Sequence, residues 1–254
     1  MQRDRMSFFE HLEVLRWVLL KSLLAFTLGC AIVGVFLPQI ADILAWPLMR
    51  MNDSHPGVLK GLVTNTPMGV FVVLIQVCGL GGTALALPFI LYFTIGFVAP
   101  ALTVQERRVL WPCCIASFLL FVAGALFAYF LLLPTSLTVA AKLNGLLGFE
   151  LIWSASRYYG LVLGMLIGVG LSCEFPLVVL LLISLDIVST ARLRALRRTV
   201  LVIALLAAAL ITPTGDPLTL VLLAVPLYGL YEGSLWLGGR IERRKSRMVS
   251  KACV

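Results

Sequence analysis

The sequence predicts an all-α polytopic membrane protein with six transmembrane helices, both termini cytoplasmic, and a short fifth and sixth helix. Three observations lead there. Of 254 residues, 61% are apolar and only 13% charged, against roughly 25% charged in soluble domains. Long stretches carry no charge at all (22–41, 61–105 and 109–141), while 158–185 holds only Glu174 and 199–239 only Asp216 and Glu232. A spanning helix needs about 20 apolar residues, and no soluble fold of this length could bury so many, which excludes the soluble enzyme classes. Finally, six spans divide the 20 Lys and Arg residues very unequally between the two faces. Only Arg50, Lys60, Lys142 and Arg157 fall on the side away from the termini, so the termini-bearing face is cytoplasmic by the positive-inside rule.

The first span is expected over 18–37, stopped by Pro38. Arg3 and Arg5 precede it as in a signal peptide, but the run is too long for an h-region and lacks an A-x-A-like site, so it reads as a retained span. A loop on the outer side follows, with an amphipathic, aromatic stretch at 42–48 that includes Pro47; it should lie on the outer interface or fold over the spans. Thr66-Pro67 is a helix start, opening the second span over 68–96. Gly79–Gly82 could form a turn splitting this block in two, but a seventh span would carry the Arg107-Arg108 and 192–198 clusters to the outer side. The third span covers 110–133, bounded by Pro112 and Pro134, and the fourth 158–185. Turn chemistry at 212–217 separates a fifth helix at 199–211 from a sixth at 218–239. The six spans form a single domain over 1–240, followed by a basic cytoplasmic tail over 241–254. The fifth helix reaches only about 20 Å, short of a ~30 Å hydrocarbon core. Either its Arg197-Arg198 end is drawn inward, or the bilayer thins beside it.

Catalysis is not supported. His11 and His55 lie outside the spans, no metalloprotease or P-loop pattern occurs, and the six cysteines make no paired or metal-binding motif. No cofactor, metal or nucleic-acid partner is implied. The informative residues are carboxylates. Glu174, just cytoplasmic of the fourth span's midpoint, costs about 2.5–3.5 kcal/mol to insert near a bilayer centre. It should face a cavity, a partner helix or water, or else bond a Ser or Thr of a neighbouring span. A transporter for small solutes or ions using Glu174 is one function consistent with this. Glu10 and Glu106 each end an S/T-x-x-E capping box, and Asp216 before Pro217 suits an N-cap. A capping carboxylate keeps acceptor capacity for a guanidinium, so both capping and binding roles stand for these residues.

Several motifs in order resemble one family. The 11–16 element HLEVLR resembles the HLxELR opening of the TatC family, the core subunits of twin-arginine protein translocases. Phe97-Val98-Ala99-Pro100-Ala101-Leu102 followed by Glu106-Arg107-Arg108 is similar to its first cytoplasmic loop. Phe127–Phe130 with Pro134, Glu174-Phe175-Pro176, Thr212-Pro213 leading to Asp216, 224–228 and the Pro47-Leu48 pair extend the likeness over nearly the whole chain. In the first element Val14 stands where the family has glutamate, and an acid, Glu13, falls one position earlier; Val18 and Leu220 replace a basic residue and a glutamine. The resemblance implies a cupped bundle in the bacterial inner membrane. It implies a receptor for twin-arginine signal peptides of folded cargo and a platform for TatA- and TatB-type single-span subunits. A homo-oligomer within a receptor complex, driven by the proton-motive force, is implied as well. It assigns signal-peptide contact to Glu106, with Phe97, Pro100 and Leu102 shaping the loop and Glu13, Arg16 and Glu10 as a second patch. Glu174 and Asp216 become partner-helix or cavity residues, and Pro47 an outer-loop residue.

Overall fold

A computed structural model describes residues 8–54, 59–64, 66–98, 104–148, 151–184, 187–212 and 217–252. In chain order the helices are α1 (Phe8–Val35), α2 (Leu37–Ser54), α3 (Gly69–Val98), α4 (Val104–Phe127), α5 (Leu133–Leu146), α6 (Ala155–Ser184), α7 (Thr190–Ala195), α8 (Arg197–Ile211) and α9 (Pro217–Ala252). Two short strands, β1 (Leu59–Val63) and β2 (Leu151–Ser154), pair in parallel. Among the described residues, five segments are long and apolar enough to cross a membrane: Leu12–Val35, Gly69–Thr94, Ile115–Leu146, Ala155–Ser184 and Pro217–Glu242. The expected fifth span coincides with α8, whose 15 residues fall below that length. Much of the apolar surface faces outward, including Leu24 at 62% and Leu210 at 88% exposure. That is the solvation expected of a chain whose surroundings are lipid.

Where the helices meet, small residues set the distance. A Cβ added to Gly29 would stand 2.6 Å from the Gly82 carbonyl oxygen, and one added to Gly82 would stand 2.7 Å from the Cys30 nitrogen. Without a hydrophobic drive between helices in lipid, close backbone approach through small residues supplies the packing. The glycines at 79–82 therefore form no turn: α3 runs through them unbroken, and two of them accept α1. Gly124 and Gly170 do the same between α4 and α6. Their added Cβ atoms would lie 2.7 Å from Cys173 Sγ and 2.5 Å from the Phe121 ring. At the centre, α6 packs against α3, α4 and α9.

Three expected boundaries are corrected. Pro134 does not end the third span. The helix widens into a π turn over Ala128–Leu132, in which the Leu133 N–H donates to the Ala128 carbonyl five residues back, and α5 then continues. A proline lacks the N–H and presses on the carbonyl four residues earlier; a widened turn just ahead of it accommodates both. Pro38 likewise sits in the first turn of α2, after a break at Phe36, rather than opening a loop. The sixth helix is not short: α9 has 36 residues. The charges from Arg240 onward end its apolar window, but nothing after Gly239 breaks the helix, so the supposed tail is helical to Ala252.

Candidate functional site

The α1–α3 contacts fix which predicted residues share one end of the bundle. Gly29 meets Gly82, Val33 meets Gly81 and Gly34 approaches Cys78, so the helices run antiparallel. Equal numbers of residues separate Gly29 from Glu13 and Gly82 from Val98. Glu13 is therefore level with the last turn of α3, which holds Phe97, and Arg16 lies about a turn deeper. Glu13 and Arg16 are exposed and Phe97 is half-buried. α4 begins at Val104, which puts Glu106 third in its helix, and α1 begins at Phe8, which puts Glu10 third in its own. Both hold the place the capping-box spacing assigns. Pro100, Leu102 and Asp216 lie outside the described residues; α9 begins at Pro217, directly after Asp216.

Glu174 sits on α6 where the packed face meets the exposed one, between buried Cys173 and Phe175, which is 48% exposed. The Ser117 hydroxyl of α4 donates to its Oε2 at 2.5 Å. Gly124 and Gly170 bring α4 and α6 close enough for so short a side chain to reach. The bond to a neighbouring span's serine is thus present, and it satisfies only half of the carboxylate. Oε1 is buried and has no hydrogen-bond partner among the described residues.

Pro47 lies buried inside α2. Having no N–H, it cannot donate to the Ile43 carbonyl four residues back. The Tyr129 hydroxyl, from the π turn, donates to that carbonyl at 2.6 Å, and the Tyr158 hydroxyl donates to the adjacent Leu44 carbonyl at 2.8 Å. Trp46 stacks on Tyr129 with ring centroids 5.5 Å apart. The stretch at 42–48 is therefore a helix clamped onto α6 and the π turn by tyrosines.

A family model described as "Sec-independent protein translocase protein (TatC)" matches residues 10–226. The chain belongs to the TatC family. It is 35% identical over 249 residues to the Sec-independent protein translocase protein TatC of Aquifex aeolicus, with 97% of this chain and all of that one covered. It is 38% identical over 239 residues to the chloroplastic TATC of Pisum sativum, covering 91% of this chain and 64% of that protein. The chain thus spans just under two-thirds of the length of that chloroplast relative. A crystal structure of the twin arginine translocase receptor TatC in DDM superposes with a TM-score of 0.78 at 36% identity, covering 90% of this chain and 99% of that one. TatC is a protein-transport family rather than an enzyme family, and the match gives no support to a small-solute transporter.

Sequence reasoning missed several residues of the TatC bundle. Ser117 carries no signal by itself, since only the fold pairs it with Glu174. Gln76, about two turns into α3, has a buried Oε1 without a partner among the described residues; a polar side chain within an uncharged stretch was its available signal. On α9, Glu232 accepts from Arg197 Nη2 at 2.7 Å and from the Tyr228 hydroxyl at 3.0 Å, joining the start of α8 to the middle of α9.

Proposed function

We propose that this chain is the membrane-embedded receptor and assembly platform of a twin-arginine translocase. It binds twin-arginine signal peptides of folded cargo at the cytoplasmic face and recruits TatA- and TatB-type single-span subunits for proton-motive-force-driven export. It does so as a homo-oligomer in the bacterial inner membrane, as a cupped six-crossing bundle with both termini cytoplasmic. The observation that carries this reading is the α1–α3 register. It brings the 11–16 element level with the turn that opens the 97–102 loop, so two motifs far apart in sequence share one end of the bundle. Paired arginines need acceptors in a partly desolvated place, and a bidentate carboxylate tells Arg from Lys. Glu106 is the principal acceptor, with Phe97, Pro100 and Leu102 shaping its loop and Glu13, Arg16 and Glu10 forming the second patch. Glu174 is the polar point on the surface where a partner helix packs, and its unpaired oxygen supports that role.

The test is site-specific crosslinking to a twin-arginine peptide. Glu106→Ala, and more so Glu106→Arg, is expected to reduce the crosslink by about tenfold, as loss of a charge-assisted pair predicts, while membrane insertion stays normal. Unchanged crosslinking at wild-type protein levels would leave Glu106 as a helix cap and nothing more.

A further inference from the structure

At the end of the bundle away from Glu13 and Phe97, a half-open cavity of about 550 Å³ lies beside β2 and the start of α6. Its polar wall includes Arg157, Ser154, Ser156 and Thr66, and its apolar wall includes Leu137, Leu161 and Trp153. The hydroxyls of Ser154 and Ser156 are 3.1 Å apart and share one hydrogen bond, which leaves one O–H of the pair free to donate. Arg157 is exposed and makes no ion pair among the described residues, and no carboxylate among them lines the cavity. The level is informative too. α6 begins at Ala155 and its apolar run starts directly after Arg157, at Tyr158, so Arg157 stands at the membrane–water boundary, where Trp is also favoured.

A cation, free hydroxyl capacity and an apolar wall at the boundary match an amphiphile with an anionic head. We propose that this cavity is a headgroup site for an anionic phospholipid of the leaflet on that side. The phosphodiester lies against the Arg157 guanidinium and the Ser154–Ser156 hydroxyl pair, and the glycerol and first methylenes lie against Leu161 and Leu137. A free phosphate would share the polar contacts but have no use for the apolar wall, which is why a lipid is the occupant.

Native mass spectrometry of the full chain in detergent, with phosphatidylglycerol, phosphatidylcholine or inorganic phosphate added, tests this. Phosphatidylglycerol is expected to be retained in preference to phosphatidylcholine. Arg157→Gln is expected to lower the retained fraction by roughly tenfold, the loss of a charged hydrogen-bonding partner. Lys142→Gln, a basic residue on the same side but outside the lining, should leave it unchanged. If Arg157→Gln does not accumulate, Arg157→Lys serves, because losing the planar fork should still reduce retention. Equal retention by the Arg157 variant, equal retention of the two lipids, an equal loss in Lys142→Gln, or displacement of lipid by inorganic phosphate would each overturn the proposal.

Discussion

Removing the Ser117 hydroxyl should destabilise the bundle more than removing the carboxylate it serves. The Ser117–Glu174 bond joins α4 to α6 at 2.5 Å, with Ser117 only 2% exposed. Interhelical hydrogen bonds in membranes are worth about 0.6 kcal/mol on average and up to about 1.7, and a short bond to a carboxyl group belongs near the upper end. Ser117→Ala strands Oε2 beside the already unpartnered Oε1, so the cost is set by a desolvation penalty of about 1–3 kcal/mol rather than by the bond's net worth. The expected cost is about 2 kcal/mol. Glu174→Leu removes both oxygens, and the freed serine hydroxyl can bond its own helix's carbonyl four residues back. That variant should change stability by no more than about 1 kcal/mol. In Ser117→Ala/Glu174→Leu no stranded oxygen remains, so the double variant should be more stable than Ser117→Ala alone, with a coupling energy of about 2 kcal/mol. Reversible unfolding in mixed micelles, titrated with SDS and followed by tryptophan fluorescence, measures all four corners of the cycle. A Ser117→Ala protein within about 0.5 kcal/mol of wild type and additive with Glu174→Leu would refute the reasoning and leave the contact energetically idle.

Two further outcomes follow from close contacts. Gly82→Ala should destabilise by about 1–3 kcal/mol, since the new methyl meets the Cys30 backbone as well as its sulfur, whereas Gly79→Ala, which meets nothing within 4 Å, should be neutral or gain up to about 1 kcal/mol of helix propensity; the same micelle titration separates them. Tyr129→Phe should cost about 0.5–1.5 kcal/mol by removing the bond to the Ile43 carbonyl. The loss should shrink in a Pro47→Ala background, where residue 47 regains an N–H for that carbonyl, and equal losses in both backgrounds would dissociate the tyrosine from the proline.

The long apolar runs made the spans legible because lipid imposes one simple demand, an uninterrupted stretch without charge. Glycine and proline were less legible because each has two readings that sequence alone does not separate. Gly81-Gly82 suits a turn or a close helix crossing, and only the presence of Gly29 and Cys30 opposite selects the crossing. Pro134 suits a helix end or a widened turn. The turn wins because the next residues stay apolar and Leu133 can reach back to Ala128. The charges after Gly239 were read as the end of a helix when they mark only the end of its membrane-compatible window. Of the candidate site, Glu174 stood out as an acid in an apolar run, while Ser117 did not, because serines are common in spans and nothing local distinguishes one that faces a carboxylate. The tyrosine clamp on α2 was hidden for the same reason: the acceptor is a backbone carbonyl, identified only by tracing which N–H Pro47 lacks.

The short fifth helix raises a question that magnitudes decide. Arg197 at the head of α8 bonds Glu232, and Glu232 lies about 22 Å along α9 from Pro217 at helical rise, while α9 itself continues to Ala252. The basic corner of α7 and α8 is thus held well short of the level α9 reaches. The ion pair by itself cannot enforce this. With side chains 48% and 32% exposed, it is worth about 0–1 kcal/mol, whereas mismatch costs fractions of a kcal/mol per Å and over several Å exceeds that. A lone pair would break, and Arg197 would extend along its stem toward the headgroups. What holds the depth is the docking of α7 onto α9. The Tyr231 hydroxyl donates to the Leu193 carbonyl at 2.8 Å, the Thr190 hydroxyl bonds the Glu242 carboxylate, and α7 lies along the part of α9 that α8 does not cover. The position of the α7–α8 corner along α9 is therefore set by where α7 docks, whether or not Arg197 keeps its partner.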